Sequence, residues 1–196
     1  MVGFFRGTMT AMITPFNEQG VNFDAFGRMI EYQIAGGTDA LLILGTTGEP
    51  ATMTEAEKEE VMRYSVQKIA GRAKIVFGSG ANSTQKAVEA SKKAEVMGAD
   101  GLLVVTPYYN KCTQNGLYEH YKAVAESVKI PVICYNVPAR TGVNILPATM
   151  ERIAQIPNIA GIKEACGNME QICETARRIR GKCDLYSGDD NLNLPI

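Results

Sequence analysis

The sequence carries almost no net charge, since 20 Lys and Arg against 21 Asp and Glu leave −1. That balance gives no electrostatic reason to expect nucleic acid or an anionic membrane surface as a partner. No apolar run approaches the roughly 20 residues of a membrane span. Met1-Val-Gly-Phe-Phe-Arg6 lacks the long apolar segment and small-residue cleavage site of a secretory signal, so a cytoplasmic location is expected. Histidine occurs once, at His120, and none of the five cysteines (Cys112, Cys134, Cys166, Cys173, Cys183) forms Cys-x-x-Cys. No metal site is therefore expected, and the scattered, odd-numbered cysteines read as reduced thiols. Gly-Lys-Ser/Thr is absent, and Gly78-Ser-Gly80 lacks the third glycine of a dinucleotide loop. No proline-rich linker, low-complexity tract or shift in composition divides the chain, so residues 1–196 are expected to form a single domain.

What is present is a repeated alternation. Seven apolar runs of strand type recur, at Thr8–Ile13, Ala40–Leu44, Lys74–Gly78, Gly101–Val105, Pro131–Tyr135, Ile159–Lys163 and Asp184–Ser187. Most are continuous, as expected of parallel strands covered on both faces. Six segments of helical period lie between them. Thr54-Glu-Ala-Glu57 reads as a capping box, with Gly71 where that helix should stop. Ser83 to Met97 reads as another helix, ended by Gly98. Pro147 suits a first helical turn, and Asn168 a cap for the sixth helix, which Gly181 closes. Strand ends recur every roughly 24 to 34 residues, the spacing of βα units. This α/β pattern fits an open doubly wound sheet or a closed (β/α)8 barrel, and both place their sites at the C-terminal ends of the strands.

Those ends carry polar chemistry. Lys163 ends the apolar run Ile159-Ala-Gly-Ile-Lys-Glu164. A lysine there ordinarily reaches to solvent, and its amine is only about 0.1% neutral near pH 7.4. A desolvated pocket would lower its pKa and make it a nucleophile toward carbonyls. Gly45-Thr-Thr-Gly-Glu49 is either a strand-to-helix turn with threonines capping backbone, or a cradle for a small carboxylate. Tyr108, Tyr109 and Tyr135 are packing aromatics or proton-relaying phenols. Arg140, in the proline-bounded loop Tyr135-Asn-Val-Pro-Ala-Arg-Thr-Gly142, is a solvated charge or a carboxylate clamp that also keeps Lys163 deprotonated. Asp189 and Asp190 are expected to cap a following helix.

Taken together, from about Gly7 to Asp190, these motifs resemble the dihydrodipicolinate synthase family of the pyruvate-dependent class I aldolase superfamily, which includes N-acetylneuraminate lyase. The resemblance implies a TIM (β/α)8 barrel and a Schiff-base aldol condensation of pyruvate with L-aspartate-4-semialdehyde. The product would be 4-hydroxy-tetrahydrodipicolinate, in the first committed step of diaminopimelate and lysine biosynthesis. It also implies roles: Lys163 forms the imine, Tyr135 moves protons beside it, and Thr46 passes them to Tyr109, which in the family enters a neighbouring subunit's site. Thr47 would hold the pyruvate carboxylate, Arg140 would orient that of the semialdehyde, and Gly188 would offer a backbone contact. No cofactor is implied, because the imine is the electron sink. A homo-oligomer, a dimer of dimers in the family, is the implied assembly.

Two departures accompany the resemblance. Relatives that bind lysine at a subunit interface do so through positions matched here by Pro50, Glu55, Lys58, Asn82, Lys86 and Tyr108. Lys86 replaces an acidic residue there, so weak or absent lysine inhibition is expected. The chain also ends at Leu194-Pro-Ile196, before the family's eighth strand and C-terminal helical region. The expectation is an incomplete barrel, a truncated or partial chain with unpaired edges along Thr8–Ile13 and Asp184–Ser187, aggregation-prone or poorly active alone. Other readings are a 2-keto-3-deoxy-sugar-acid aldolase, against which Arg140 argues, and a non-catalytic remnant.

Overall fold

The computed structural model describes residues 3, 4 and 6–196. Met1, Val2 and Phe5, within the segment read for a secretory signal, lie outside the described residues. Seven strands form one sheet: β1 (Met9–Ala11), β2 (Ala40–Ile43), β3 (Lys74–Gly78), β4 (Gly101–Val105), β5 (Val132–Asn136), β6 (Ile159–Glu164) and β7 (Asp184–Ser187). Each pairs in parallel with the next, in sequence order. Helices α1 (Phe23–Ala35), α2 (Glu55–Ile69), α3 (Thr84–Val96), α4 (Gln114–Glu126), α5 (Pro147–Ile153) and α6 (Met169–Ile179) return the chain between strands. A doubly wound sheet reverses its strand order at a switch point. This one never reverses, and it curls as an incomplete (β/α)8 barrel. Among the described residues, β1 and β7 pair with no further strand.

Both faces of the sheet are buried, which explains the continuous apolar runs. Leu41, Ile43, Ile75, Phe77, Leu102, Val104 and Cys134 pack outward into the large core beneath the helices. Their neighbours Ala40, Leu42, Val76, Leu103, Ile133 and Tyr135 form a second cluster inside the curl. Phe4 packs against that inner cluster, and the Gly3 N–H donates to Asp184 Oδ2 at 2.7 Å.

Local chemistry fixes the helix ends as expected. The Thr54 hydroxyl accepts from Glu57 N–H at 3.3 Å, and Glu57 Oε2 accepts from Thr54 N–H at 2.8 Å, closing the capping box. Ser83 caps α3, Asn168 caps α6, and Pro147 occupies the first turn of α5. Several details differ from the sequence reading. β5 starts at Val132, because Pro131 has no N–H to give a ladder. Phe16–Asn17 and Gly20–Val21 form a small antiparallel hairpin, which two-residue strands do not announce. Arg140 lies on a one-turn helix, Pro138–Thr141, where an irregular loop was expected.

One irregularity decides the site. On β5 and β6, Val132 pairs with Ile159, but the next residue, Ile133, pairs with Gly161. The extra residue, Ala160, is a β-bulge, which offsets the two-residue alternation. A regular strand would put Lys163 on the same face as Ile159, toward the helices. The offset instead aligns Lys163 with inward-facing Tyr135 and turns it into the barrel.

Candidate active site

Lys163 is half-buried at the end of β6, paired in register with Tyr135 on one side and Tyr186 on the other. Its Nζ lies 4.6 Å from the centroid of the Tyr135 ring. Gly188 closes the approach from β7, since a Cβ there would come within 3.0 Å of Lys163 Cε. Its N–H donates to the Glu164 carbonyl at 2.7 Å. The structure thus brings Lys163, Tyr135 and Gly188 together.

Burial lowers the Lys163 pKa from its ordinary value, while Asp189 and Asp190 pull it back up. Two expectations are corrected here. Asp189 stands at the start of the turn Asp190–Leu192, but its side chain caps nothing; the two carboxylates bear on the amine instead. Arg140 is not among the groups that depress Lys163. Its guanidinium acts on the Tyr135 phenol, lowering a pKa that burial raises and Asp189 raises further. Tyr135 therefore keeps its proton at neutral pH.

A pH test follows from these signs. Asp189 favours the ammonium, so Asp189→Asn should move the midpoint for Lys163 reactivity to lower pH. Below that midpoint the variant's amine should react faster than wild type. Borohydride trapping of pyruvate across a pH series measures this, and an unmoved midpoint would remove Asp189 from the site.

At the end of β2, Leu44 adopts a positive φ of 57° and the chain turns through Thr46–Gly48. Gly48 is held from the segment after β1, where the Thr14 hydroxyl donates to its carbonyl at 2.7 Å. A Cβ at Gly48 would press within 3.2 Å of Met12 O and Thr14 Oγ1. Thr46 and Thr47 are exposed, and no side chain caps the start of their turn. Among the described residues, neither hydroxyl bonds Tyr135 or Tyr109. Both are open to a ligand at the strand-end face. Tyr109 is 89% exposed with φ of 72°, an uncommon conformation for a bulky residue. It points away from its own chain's core, and Tyr108 is 38% exposed beside it.

The six positions read as a degenerate lysine site fall on three segments. Pro50 opens the turn Pro50–Thr52 ahead of the Glu55–Lys58 pair at 2.7 Å, Asn82 and Lys86 flank the start of α3, and Tyr108 follows β4. The Glu55 pKa is lowered chiefly by its bond to Lys58, with smaller contributions from Lys93, itself paired with Glu59, and Lys86. Among the described residues no three His, Cys, Asp or Glu cluster as metal ligands, and no helix is long and apolar enough to cross a membrane. The sequence reading did not single out Tyr186. Its signal was Gly161, where a Cβ would come within 2.7 Å of the Tyr186 ring.

A half-buried amine aimed by a bulge into a parallel βα barrel, with a phenol ring against it, defines the class of lysine-centred (β/α) barrels. The model of the dihydrodipicolinate synthetase family matches residues 4–196, and the chain belongs to that family. The 4-hydroxy-tetrahydrodipicolinate synthase of Caldicellulosiruptor bescii is 48% identical over 196 residues, covering 100% of this chain and 66% of the relative. The crystal structure of dihydrodipicolinate synthase from Aquifex aeolicus matches with a TM-score of 0.94 and 48% identity, over 97% of this chain and 66% of that one. A chloride-inhibited dihydrodipicolinate synthase from Acinetobacter baumannii, solved with pyruvate, matches with a TM-score of 0.94 and 43% identity, over 96% of this chain and 65% of that one. The chain thus spans about two thirds of the length of these relatives.

Proposed function

We propose that the whole protein condenses pyruvate with L-aspartate-4-semialdehyde to give 4-hydroxy-tetrahydrodipicolinate. The observation that carries the reading is the placement of Lys163, half-buried inside the curl with its Nζ 4.6 Å from the Tyr135 ring. Kinship to synthases, one of them solved with pyruvate, supports the choice of keto acid.

The neutral Lys163 amine attacks C2 of pyruvate. The carbinolamine loses water, its oxygen taking a proton from Tyr135, and a protonated imine results. The imine draws electrons from the methyl group, which gives up a proton and becomes an enamine. The enamine carbon bonds to the aldehyde carbon, whose oxygen takes up a proton. The substrate's own amine then closes the ring at C2 and displaces Lys163. The protonated imine is itself the electron sink, so this sequence requires no metal or organic cofactor.

Around this centre, Thr47 and the uncapped turn at Thr46–Gly48 hold the pyruvate carboxylate, and Gly188 contributes backbone. Arg140 clamps the semialdehyde carboxylate. Thr46 carries protons between Tyr135 and the Tyr109 of a second copy, which makes a homo-oligomer the working form. The exposure of Tyr109 on its own chain supports this arrangement. A cytoplasmic enzyme with small-molecule substrates completes the reading. A coupled assay offering the semialdehyde and, separately, sugar-acid aldehydes tests the choice of acceptor. Preference for the sugar aldehydes would transfer the chain to the 2-keto-3-deoxy-sugar-acid aldolases.

The charge cluster at Glu55 leads to a regulatory expectation. Lys86 and Lys93 both act on Glu55, and an incoming lysine ammonium would meet them. Titrating L-lysine into the condensation assay should give little inhibition up to millimolar concentration. Half-inhibition at micromolar lysine would refute this.

A further inference from the structure

The residue next to Lys163 carries a second carboxyl whose surroundings the reaction leaves unexplained. Glu164 pairs in register with Asn136, one step beyond the Lys163–Tyr135 pair, and both side chains are 0% exposed. They face away from the barrel interior, behind the residues that line it. Glu164 Oε1 accepts from Asn136 Nδ2 at 2.7 Å. Oε2 is buried and makes no hydrogen bond of ordinary geometry, with the Cys166 thiol, a weak donor, beside it. Asn136 is itself clamped. Its Nδ2 also donates to Asn144 Oδ1 at 2.9 Å, and its Oδ1 accepts from Ile145 N–H at 2.9 Å. Asn144 Nδ2 in turn donates to Gln171 Oε1 at 2.8 Å, tying the assembly to α6.

We propose that Glu164 is a positioning residue, locking through Asn136 the shifted β5–β6 register that turns Lys163 into the barrel. With the bulge at Ala160, β6 continues in the shifted register; without it, β6 would continue in the regular one. In the first, Lys163 faces inward and Glu164 outward; a slip of one residue exchanges them. The Asn136–Glu164 bond forms in only one register. A slipped chain would bury Lys163 beneath the helix layer and leave Asn136 without its acceptor.

The lock needs only an acceptor oxygen on Glu164 facing the Asn136 amide. Burial raises the Glu164 pKa, and the titratable groups that bear on it, Cys166 and the fully buried Tyr121 phenol, are raised by burial as well. The Asn136 amide, the Cys166 thiol and the Cys166 and Ala165 backbone pull the Glu164 pKa back down. Lys163, on the opposite face, meets Tyr135 and feels Asp189 and Asp190.

The test is competitive acetylation of the described chain with acetic anhydride, read at the Lys163 peptide by mass spectrometry over a pH series. It reports the amine's titration without pyruvate. The lock's bearing on catalysis rests on the proposed role of Lys163, but its existence does not. Glu164→Gln keeps the acceptor and the shape, and should leave the Lys163 midpoint where wild type has it. Glu164→Asp keeps the charge type but shortens the reach to Asn136. It should move the midpoint to lower pH and slow acetylation, because a slipped Lys163 enters the fully buried layer beneath the helices and leaves Asp189 and Asp190 behind. A Gln variant that shifts, or an Asp variant that titrates like wild type, overturns the lock. Failure of the wild-type chain to trap pyruvate under borohydride, with the acetylation pattern as expected, would instead count against the function alone.

Discussion

Lys163→Ala should abolish covalent capture of pyruvate, and Lys163→Arg should do the same. The two variants fail for different reasons. Alanine removes the nucleophile. Arginine restores length and charge, but its guanidinium stays protonated at any working pH and cannot form the imine. The half-buried position of Lys163 makes a fold defect in alanine modest, because the side chain is no part of the large core beneath the helices. Trapping with borohydride should fall at least about a thousandfold in both, since no covalent route remains. Unchanged circular dichroism would show that the loss is chemical. An alanine variant that still yields the adduct at the wild-type rate would place the nucleophile elsewhere.

Tyr135→Phe comes next in size. Phenylalanine keeps the ring whose centroid lies 4.6 Å from Lys163 Nζ, so packing against the amine survives. What disappears is a phenol that holds its proton through the neutral range, because burial raises its pKa and Arg140 only partly offsets that. A positioned proton donor contributes about 10²- to 10⁴-fold to a rate. The variant should lose that much in kcat for condensation while KM for pyruvate changes little. A variant within threefold of wild type would mean that the hydroxyl moves no proton in the limiting step.

The sheet was legible because each strand is buried on two faces, and continuous runs such as Ala40–Ile43 and Gly101–Val105 have few other uses. Helix ends were legible where side chains close specific bonds, as at Thr54 and Asn168. β1 came out shorter than Thr8–Ile13 because Ile13 is 48% exposed beyond the last paired residue, Ala11. Hydrophobicity alone cannot reveal that. Lys163 and Tyr135 could be picked out as candidates from their strand ends, but the reason Lys163 faces inward could not. Ile159-Ala-Gly-Ile-Lys-Glu164 reads as a regular strand, and regular alternation from Ile159 assigns the lysine to the helix side. Only the pairing with β5 exposes the extra residue. The electrostatic part of Asp189 and Asp190 was hidden for a related reason: cap and charge look identical in sequence, and the distance to an amine on another strand separates them.

Reaction of the folded chain with pyruvate and borohydride, followed by peptide mapping, puts this arrangement to its most direct trial. The expected result is one added pyruvate-derived group, located on Lys163. A folded chain that stays unmodified, or one that carries the group on another lysine, would contradict an inward-facing reactive amine at the end of β6.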